Sequence, residues 1–225
     1  MLDRTTGKAL SADLFVHANR AEGFDLAAQQ PIEDPAKRPG LGENVVDICP
    51  NPVGGKNWQP MAWSPDTKLV YIPANNLCMD MEDAEVEYKR GSFYLGKDFA
   101  TRPGRGDHYG ESIARDPIAR KKAWSIQEKW FFNGGVLATA GGLVFAGQYE
   151  GDFRAIDART GDVLWKKQLG SGIHAAAATC EVGGEQDVVV VVGRSDGMPQ
   201  HFGEIGRQMI EAQPTGGMLF AFTLE

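Results

Sequence analysis

One turn pattern, met more than once, limits what this chain can fold into. The stretch "AIDARTGDVLW" places Asp157, Thr160, Gly161 and Trp165 at offsets of 0, 3, 4 and 8. The first residues, "LDRTTGKALS", carry Asp3, Thr6 and Gly7 at the same offsets, with Ser11 where the Trp would stand. A weaker copy, "ARDPIARKKAW", keeps Asp116 and Trp124 without the Thr-Gly. Asp and Thr side chains bond nearby backbone in a tight turn, and Gly takes the positive φ that such a turn needs. A Trp eight residues on is large enough to fill a seam between neighbouring sheets. From Asp116 to Asp157 is 41 residues, the spacing of four-stranded propeller blades, which repeat about every 40–45.

The segments between these turns fit a blade. "GGLVFAGQYEGDFRAIDARTGDVLWKKQL" reads as strand, turn, strand, turn, strand, with turns at 149–152 and 158–162. "EVGGEQDVVVVVG" reads as a hairpin with a buried second strand, and "KLVYIPA" and "GGMLFAFT" as further strands. Residues 17–48 and 80–114 are polar and rich in Gly and Pro, which predicts excursions from the blades. Residues 194–216 read as a loop with one short helical turn. Helical periodicity is otherwise absent, and the fold class is all-β. About three blade equivalents can be counted. A propeller usually closes with four to eight, so the chain requires covering of its open edges by more propeller or by another chain.

Charge and composition exclude several partners. The 23 basic and 30 acidic residues leave a net charge of −7, which argues against nucleic acid and anionic membranes. The basic cluster Arg115, Arg120, Lys121 and Lys122 reads as a solvated face, and so does the acidic run from Met79 to Glu87. No apolar run reaches the roughly 18 residues of a membrane span. The start has no apolar core of a signal peptide.

Few constellations carry chemistry. No Cys/His spacing suits zinc or c-type haem, and the four histidines (17, 108, 174, 201) share no ligand spacing. "GRSDG" matches the nucleophile-elbow pattern, but no helix pattern or later acid–His pair follows Ser195. Cys49 and Cys78 enclose a loop that a disulfide would stabilise by about 3–4 kcal/mol; two separate buried thiols are the other reading. Cys180, in "AAAATCEV", reads as a small buried hydrophobe. In "GGKNWQP", Asn57 offers a donor and an acceptor and Trp58 a flat face with one donor. That pair suits a planar polar ligand, and equally a blade corner in which Asn57 caps a turn and Trp58 packs.

Taken together, "LDRTTGKALSA", "ICPNPVGGKNWQPMAWSPDTKLVYIPANNLCMD", "NGGVLATAGGLVFAGQYEGDFRAIDARTGDVLWKKQLGSG" and "GGMLFAFTLE" resemble, in order, parts of the pyrroloquinoline quinone (PQQ)-dependent alcohol dehydrogenases. The resemblance implies an eight-bladed propeller, with residues 1–225 as the C-terminal part of its one domain, roughly the last two-fifths. It implies PQQ beside a calcium or lanthanide ion, oxidation of a primary alcohol to an aldehyde, cytochrome c as electron acceptor and a periplasmic parent protein. It also implies that Asn57, Trp58 and Asn133 face the cofactor, and that Cys49 and Cys78 form a disulfide. Asn133 stands where many members have Trp, and "GRSDGMPQ" replaces a Gly-Trp-rich loop. The family's catalytic aspartate and metal ligands precede the matching segment, so the expectation for this chain is no catalytic residue, no metal ligand and no turnover alone. The alternative expectation is a non-catalytic propeller scaffold, which needs the Trp turns but no cofactor corner.

Overall fold

The computed structural model describes residues 1–92 and 94–223. Two compact units emerge, one from Met1–Gly55 with Asn76–Asp107, the other from Lys56–Asn75 with His108–Glu225. In the first, β1 (Ala21–Asp25) and β2 (Gln30–Glu33) form a hairpin. Beside it in sequence, β3 (Val45–Ile48), β6 (Leu77–Asp83) and β7 (Lys97–Pro103) form an antiparallel sheet in the order β3-β6-β7. Its core is Ile48, Met79 and Met81, flanked by Val45 and Phe99. Ile48 is paired with Met79, which brings the adjacent Cys49 and Cys78 together as a disulfide.

The second unit stacks three sheets. β4 (Ala62–Ser64), β5 (Leu69–Asn75), β8 (Gly110–Asp116) and β9 (Lys121–Glu128) form the first, in that order. β10 (Val136–Ala138), β11 (Leu143–Gly147), β12 (Asp152–Asp157) and β13 (Val163–Gln168) form the second. β14 (Ala178–Val182), β15 (Glu185–Gly193) and β16 (Gly217–Thr223) form the third, with α1 (Gly203–Glu211) between its last two strands. All pairs are antiparallel. Tyr71 and Ala114 of the first sheet pack against Val144, Ala146 and Ile156 of the second. The other face of the second sheet, with Phe145 and Phe153, packs on Val188, Val190 and Val192 of the third. Burying both faces of a blade in this way is what a propeller does.

The repeated turn is a real unit. The Asp3, Asp116 and Asp157 carboxylates each accept two backbone N–H bonds, from the second and third residues on, all at 2.8–2.9 Å. Asp25 does the same with Ala27 and Ala28, a copy the sequence reading missed because neither Thr-Gly nor Trp follows. The residue four positions after each Asp is left-handed: Gly7, Gln29, Arg120 and Gly161 have φ of 74°, 59°, 59° and 83°. Carboxylate bonds therefore hold the turn even where a side chain raises its cost by about 1 kcal/mol. Trp124 of the first sheet seats on the turn of the second: its Nε1 donates to the Ala158 carbonyl at 3.1 Å. A Cβ on Gly161 would lie 2.8 Å from the Trp124 ring. Tyr71 donates to the same Ala158 carbonyl at 3.0 Å.

Three expectations need correction. Cys180 is exposed, because it lies on β14, an edge strand whose residues are all open to solvent. Residues 80–114 hold the end of β6, all of β7 and most of β8, rather than a bare excursion. Charged residues hid these strands: Asp80 and Arg102 pair through the Arg102 Nε at 3.3 Å, and Glu111 bonds Lys122 across the β8–β9 pair. In 194–216 there is a nine-residue helix, fixed by buried Met209 and by Gly206, whose bare Cα lies against Pro199. The β14–β15 hairpin turns through Gly183 and Gly184, both at positive φ. Its second strand is buried on one face only, with Val188, Val190 and Val192 inside and Val191 outside.

Candidate functional site

Three short segments of the second unit run into the edge strands of its three sheets. Residues 57–60 precede β4, 131–135 precede β10, and 171–176 precede β14. Side-chain amides and bare glycines hold them together. Gln59, buried, accepts from the Asn57 N–H at 3.0 Å and donates its Nε2 to the Phe132 carbonyl at 2.8 Å. The Phe132 N–H donates to Asn75 Oδ1 at 3.0 Å, so both backbone polar groups of Phe132 are held by buried amides. Val136 N–H donates to the Pro60 carbonyl at 3.1 Å. A Cβ on Gly135 would fall 2.6 Å from Pro60 Cδ, and one on Gly134 2.9 Å from the Ile173 carbonyl oxygen. The Gly-Gly after Asn133 is thus a close-approach pair, where any side chain would part the segments.

The wall continues through Asn133. Its Nδ2 lies 3.2 Å from His174 Nδ1, and His174 Nε2 lies 2.6 Å from Gln213 Oε1. Gln213 also accepts from the Ser195 N–H at 3.1 Å. Tyr149 stands edge-on to the His174 ring, centroids 4.8 Å apart, and donates its hydroxyl to the Ser195 carbonyl at 2.9 Å. Burial lowers the His174 pKa from its ordinary 6.5, only partly opposed by the Gln213 bond and by Asp196. Burial likewise raises the Tyr149 hydroxyl well above the usual phenol range, so it remains a neutral donor.

Asn57 is exposed, and its side-chain amide is uncommitted among the described residues. Trp58 is 55% exposed, so it is not the packed blade corner that was the other reading of this pair. Asn133 is 7% exposed and joins Asn57 through Gln59 and Phe132. Cys49 and Cys78 are joined, with Cα atoms 4.4 Å apart, within the first unit. Gly54 and Gly55 serve local packing: Gly54 N–H closes a turn on the Asn51 carbonyl, and Gly55 lies against Val16 and Phe15. Four contributors escaped sequence reasoning: Gln59, Asn75, His174 and Gln213. Only Gln59 had a signal, its place beside Trp58. Ser195 has both backbone groups tied to Gln213 and no helix directly after it, which leaves no nucleophile elbow.

Amides, an indole and a neutral imidazole make up this wall. Asp196, the carboxylate that acts on His174, is tied to Arg194 Nε at 2.8 Å. Such a donor set suits hydrogen bonding and stacking on a planar polar ligand. It does not suit a hard cation, which takes carboxylate and carbonyl oxygens. The one group of metal-type ligands among the described residues, Asp47 with Cys49 and Cys78, has both sulfurs in the disulfide.

Known proteins resemble this chain in both sequence and fold. The family description "glucose/ethanol/alcohol dehydrogenase, beta-propeller domain", for PQQ proteins, matches residues 106–188. A lanthanide-dependent methanol dehydrogenase of Methylacidiphilum fumariolicum is 42% identical over 77% of this chain and 29% of its own length. A quinoprotein ethanol dehydrogenase of Pseudomonas aeruginosa is 40% identical over 100% of this chain and 37% of its own. Among solved structures, a europium-containing methanol dehydrogenase superposes with a TM-score of 0.93 at 36% identity, over 99% of this chain and 42% of that one. A quinohemoprotein alcohol dehydrogenase from Comamonas testosteroni gives 0.77 at 38% identity, over 86% of this chain and 30% of that one. The chain therefore spans 29–37% of the length of these two curated relatives. It belongs to the β-propeller family of PQQ-dependent alcohol dehydrogenases.

Proposed function

We propose that this chain supplies part of the wall of a PQQ site in a periplasmic quinoprotein that oxidises a primary alcohol to its aldehyde. The observation that carries the reading is the connected Asn57–Gln59–Phe132–Asn133 network, with the Trp58 indole beside it and uncovered. PQQ, when bound, supplies the two-electron acceptor for the hydride leaving the alcohol carbon. Trp58 offers its face for stacking, and Asn57 and Asn133 offer amide donors and acceptors to a ring edge. Gln59 and Asn75 hold the Phe132 backbone so that the two asparagines keep their spacing.

The wall has no group able to take the alcohol proton. Both ring nitrogens of His174 are engaged, Asp196 is paired, and amides and indole are not bases at neutral pH. Base and calcium or lanthanide ligands therefore come from elsewhere in the propeller, of which residues 1–225 are the C-terminal part. Cytochrome c, taking the electrons onward, belongs to the same reading. The remaining blades would also cover the apolar cavity of about 470 Å³ between the second and third sheets, lined by Phe145, Phe153, Trp165, Val188 and Phe222. Purified chain mixed with PQQ, calcium or lanthanum, ethanol and an electron-accepting dye should give no turnover. Dye reduction dependent on alcohol and PQQ would contradict the assignment of the base to another part of the protein.

A further inference from the structure

We propose that Gln213 and His174 are positioning residues that fix the side-chain amide of Asn133, turning its Nδ2 inward to His174 and its carbonyl oxygen outward as a hydrogen-bond acceptor for the ligand. That a ligand lies there rests on the quinone reading; the orientation itself does not.

Backbone groups of fixed polarity set the orientation. Gln213 Nε2 lies 3.3 Å from the Ser195 carbonyl and 3.3 Å from the Met209 carbonyl, both of which can only accept. Gln213 Oε1 lies 3.1 Å from the Ser195 N, which can only donate. One amide orientation satisfies all three contacts, and it points Oε1 at His174. The imidazole nitrogen 2.6 Å from that oxygen must then carry hydrogen, so the ring is the Nε2–H tautomer. In a neutral ring Nδ1 is an acceptor, and the group that meets it at 3.2 Å must be the Asn133 Nδ2–H. Asn133 Oδ1 has no partner among the described residues, yet it is not a sealed, orphaned atom. It is left facing outward.

Two further features protect the relay. A Cβ on Gly172 would fall 2.4 Å from His174 Nε2 and 2.5 Å from Gln213 Oε1, so the bond between them passes over a bare Cα. Ser171 Oγ donates to the Pro214 carbonyl at 2.6 Å, which pins the backbone next to Gln213. The groups that face the ring are Tyr149, edge-on, Gln213, Asn133 and the Asp196–Arg194 pair. Burial keeps the ring neutral at pH 7 against the single partnered carboxylate. An outward carbonyl oxygen accepts a ring N–H or an alcohol hydroxyl and repels a carboxylate. The relay thereby selects which edge of a polyanionic quinone can face Asn133.

The tautomer is read in the ligand-free chain by long-range 1H–15N correlation on uniformly 15N-labelled protein at pH 7.5, with His174 assigned through its sequential backbone connections. The expected result is hydrogen on Nε2 alone, together with an Asn133 side-chain amide resonance that shifts in Gly172→Ala. Hydrogen on Nδ1, or averaging between tautomers, overturns the proposal even if every variant misfolds. In a separate arm PQQ is titrated against wild type and His174→Leu. Loss of one oriented neutral hydrogen bond should weaken binding roughly three- to tenfold. Equal affinity in the two overturns the positioning role. Failure of the wild type to bind PQQ, with the Nε2–H tautomer present, instead overturns the quinone reading and leaves the orientation standing.

Discussion

His174 gives the candidate site a pH signature that can be followed without ligand. Its folded-state pKa lies below the ordinary 6.5 because burial disfavours the imidazolium, with Tyr149, Gln213, Asn133 and the Asp196–Arg194 pair around it. Between the folded and unfolded pKa values the unfolded chain binds more protons, so stability rises with pH through that window and is level above it. Acidification from pH 7 should therefore lower the denaturation midpoint progressively once pH passes below 6.5, and His174→Gln should lose that part of the slope. Urea titrations between pH 5 and 7.5 on both proteins check it; identical slopes would contradict a neutral buried ring. Asn57 and Trp58 were legible in the sequence because they sit in one motif. His174 was not, since its two partners lie 41 and 39 residues away and a lone histidine in "GSGIHAA" has no local signal.

At the scale of elements, the Asp-led turn is the unit the sequence showed best, and its limits are instructive. Copies with Thr-Gly were visible, whereas those closing on Gln29 and Arg120 were partly or wholly hidden, because carboxylate bonds do the work that Gly makes easier. At Gly161 the two demands coincide, a φ of 83° and the Trp124 ring overhead. Gly161→Ala should cost roughly 2–4 kcal/mol from backbone strain and overpacking together. The same change at Gly142, also left-handed but with open space around its Cα, should cost only about 1 kcal/mol. Thermal denaturation of the pair separates the terms; equal losses would mean that Trp124 does not lock the turn. The disulfide acts on a longer element. Cys49 and Cys78 are 29 residues apart and close a stretch whose middle, 56–75, carries Asn57 and Trp58. Reduction, or Cys49→Ser with Cys78→Ser, should lower stability by about 3–4 kcal/mol in the chain-entropy model. A denaturation midpoint unmoved by reductant would contradict that. The strands β7 and β8 and the helix α1 were misread for one reason: their charges pair with neighbours distant in sequence or across a helical turn, so polarity did not mean loop.

On the scale of the whole molecule, the all-β class and the blade spacing were readable because two successive four-stranded sheets repeat one Asp-led turn with a Trp eight residues on. The three segments that form the site were not readable as a group. Each precedes an edge strand of a different sheet, so their meeting follows from stacking the blades and from nothing local. The relatives' greater length and the uncovered apolar cavity beside Trp165 both fit a chain that works as part of a larger propeller. The central claim is that the wall built by Asn57, Trp58 and Asn133 holds a quinone. Equilibrium dialysis of the purified chain against PQQ, followed by absorbance of the bound quinone in wild type, Asn57→Ala and Trp58→Phe, tests it most directly. The account predicts saturable binding that weakens roughly tenfold in Asn57→Ala or Trp58→Phe. No saturable binding, or binding that neither substitution changes, would contradict it.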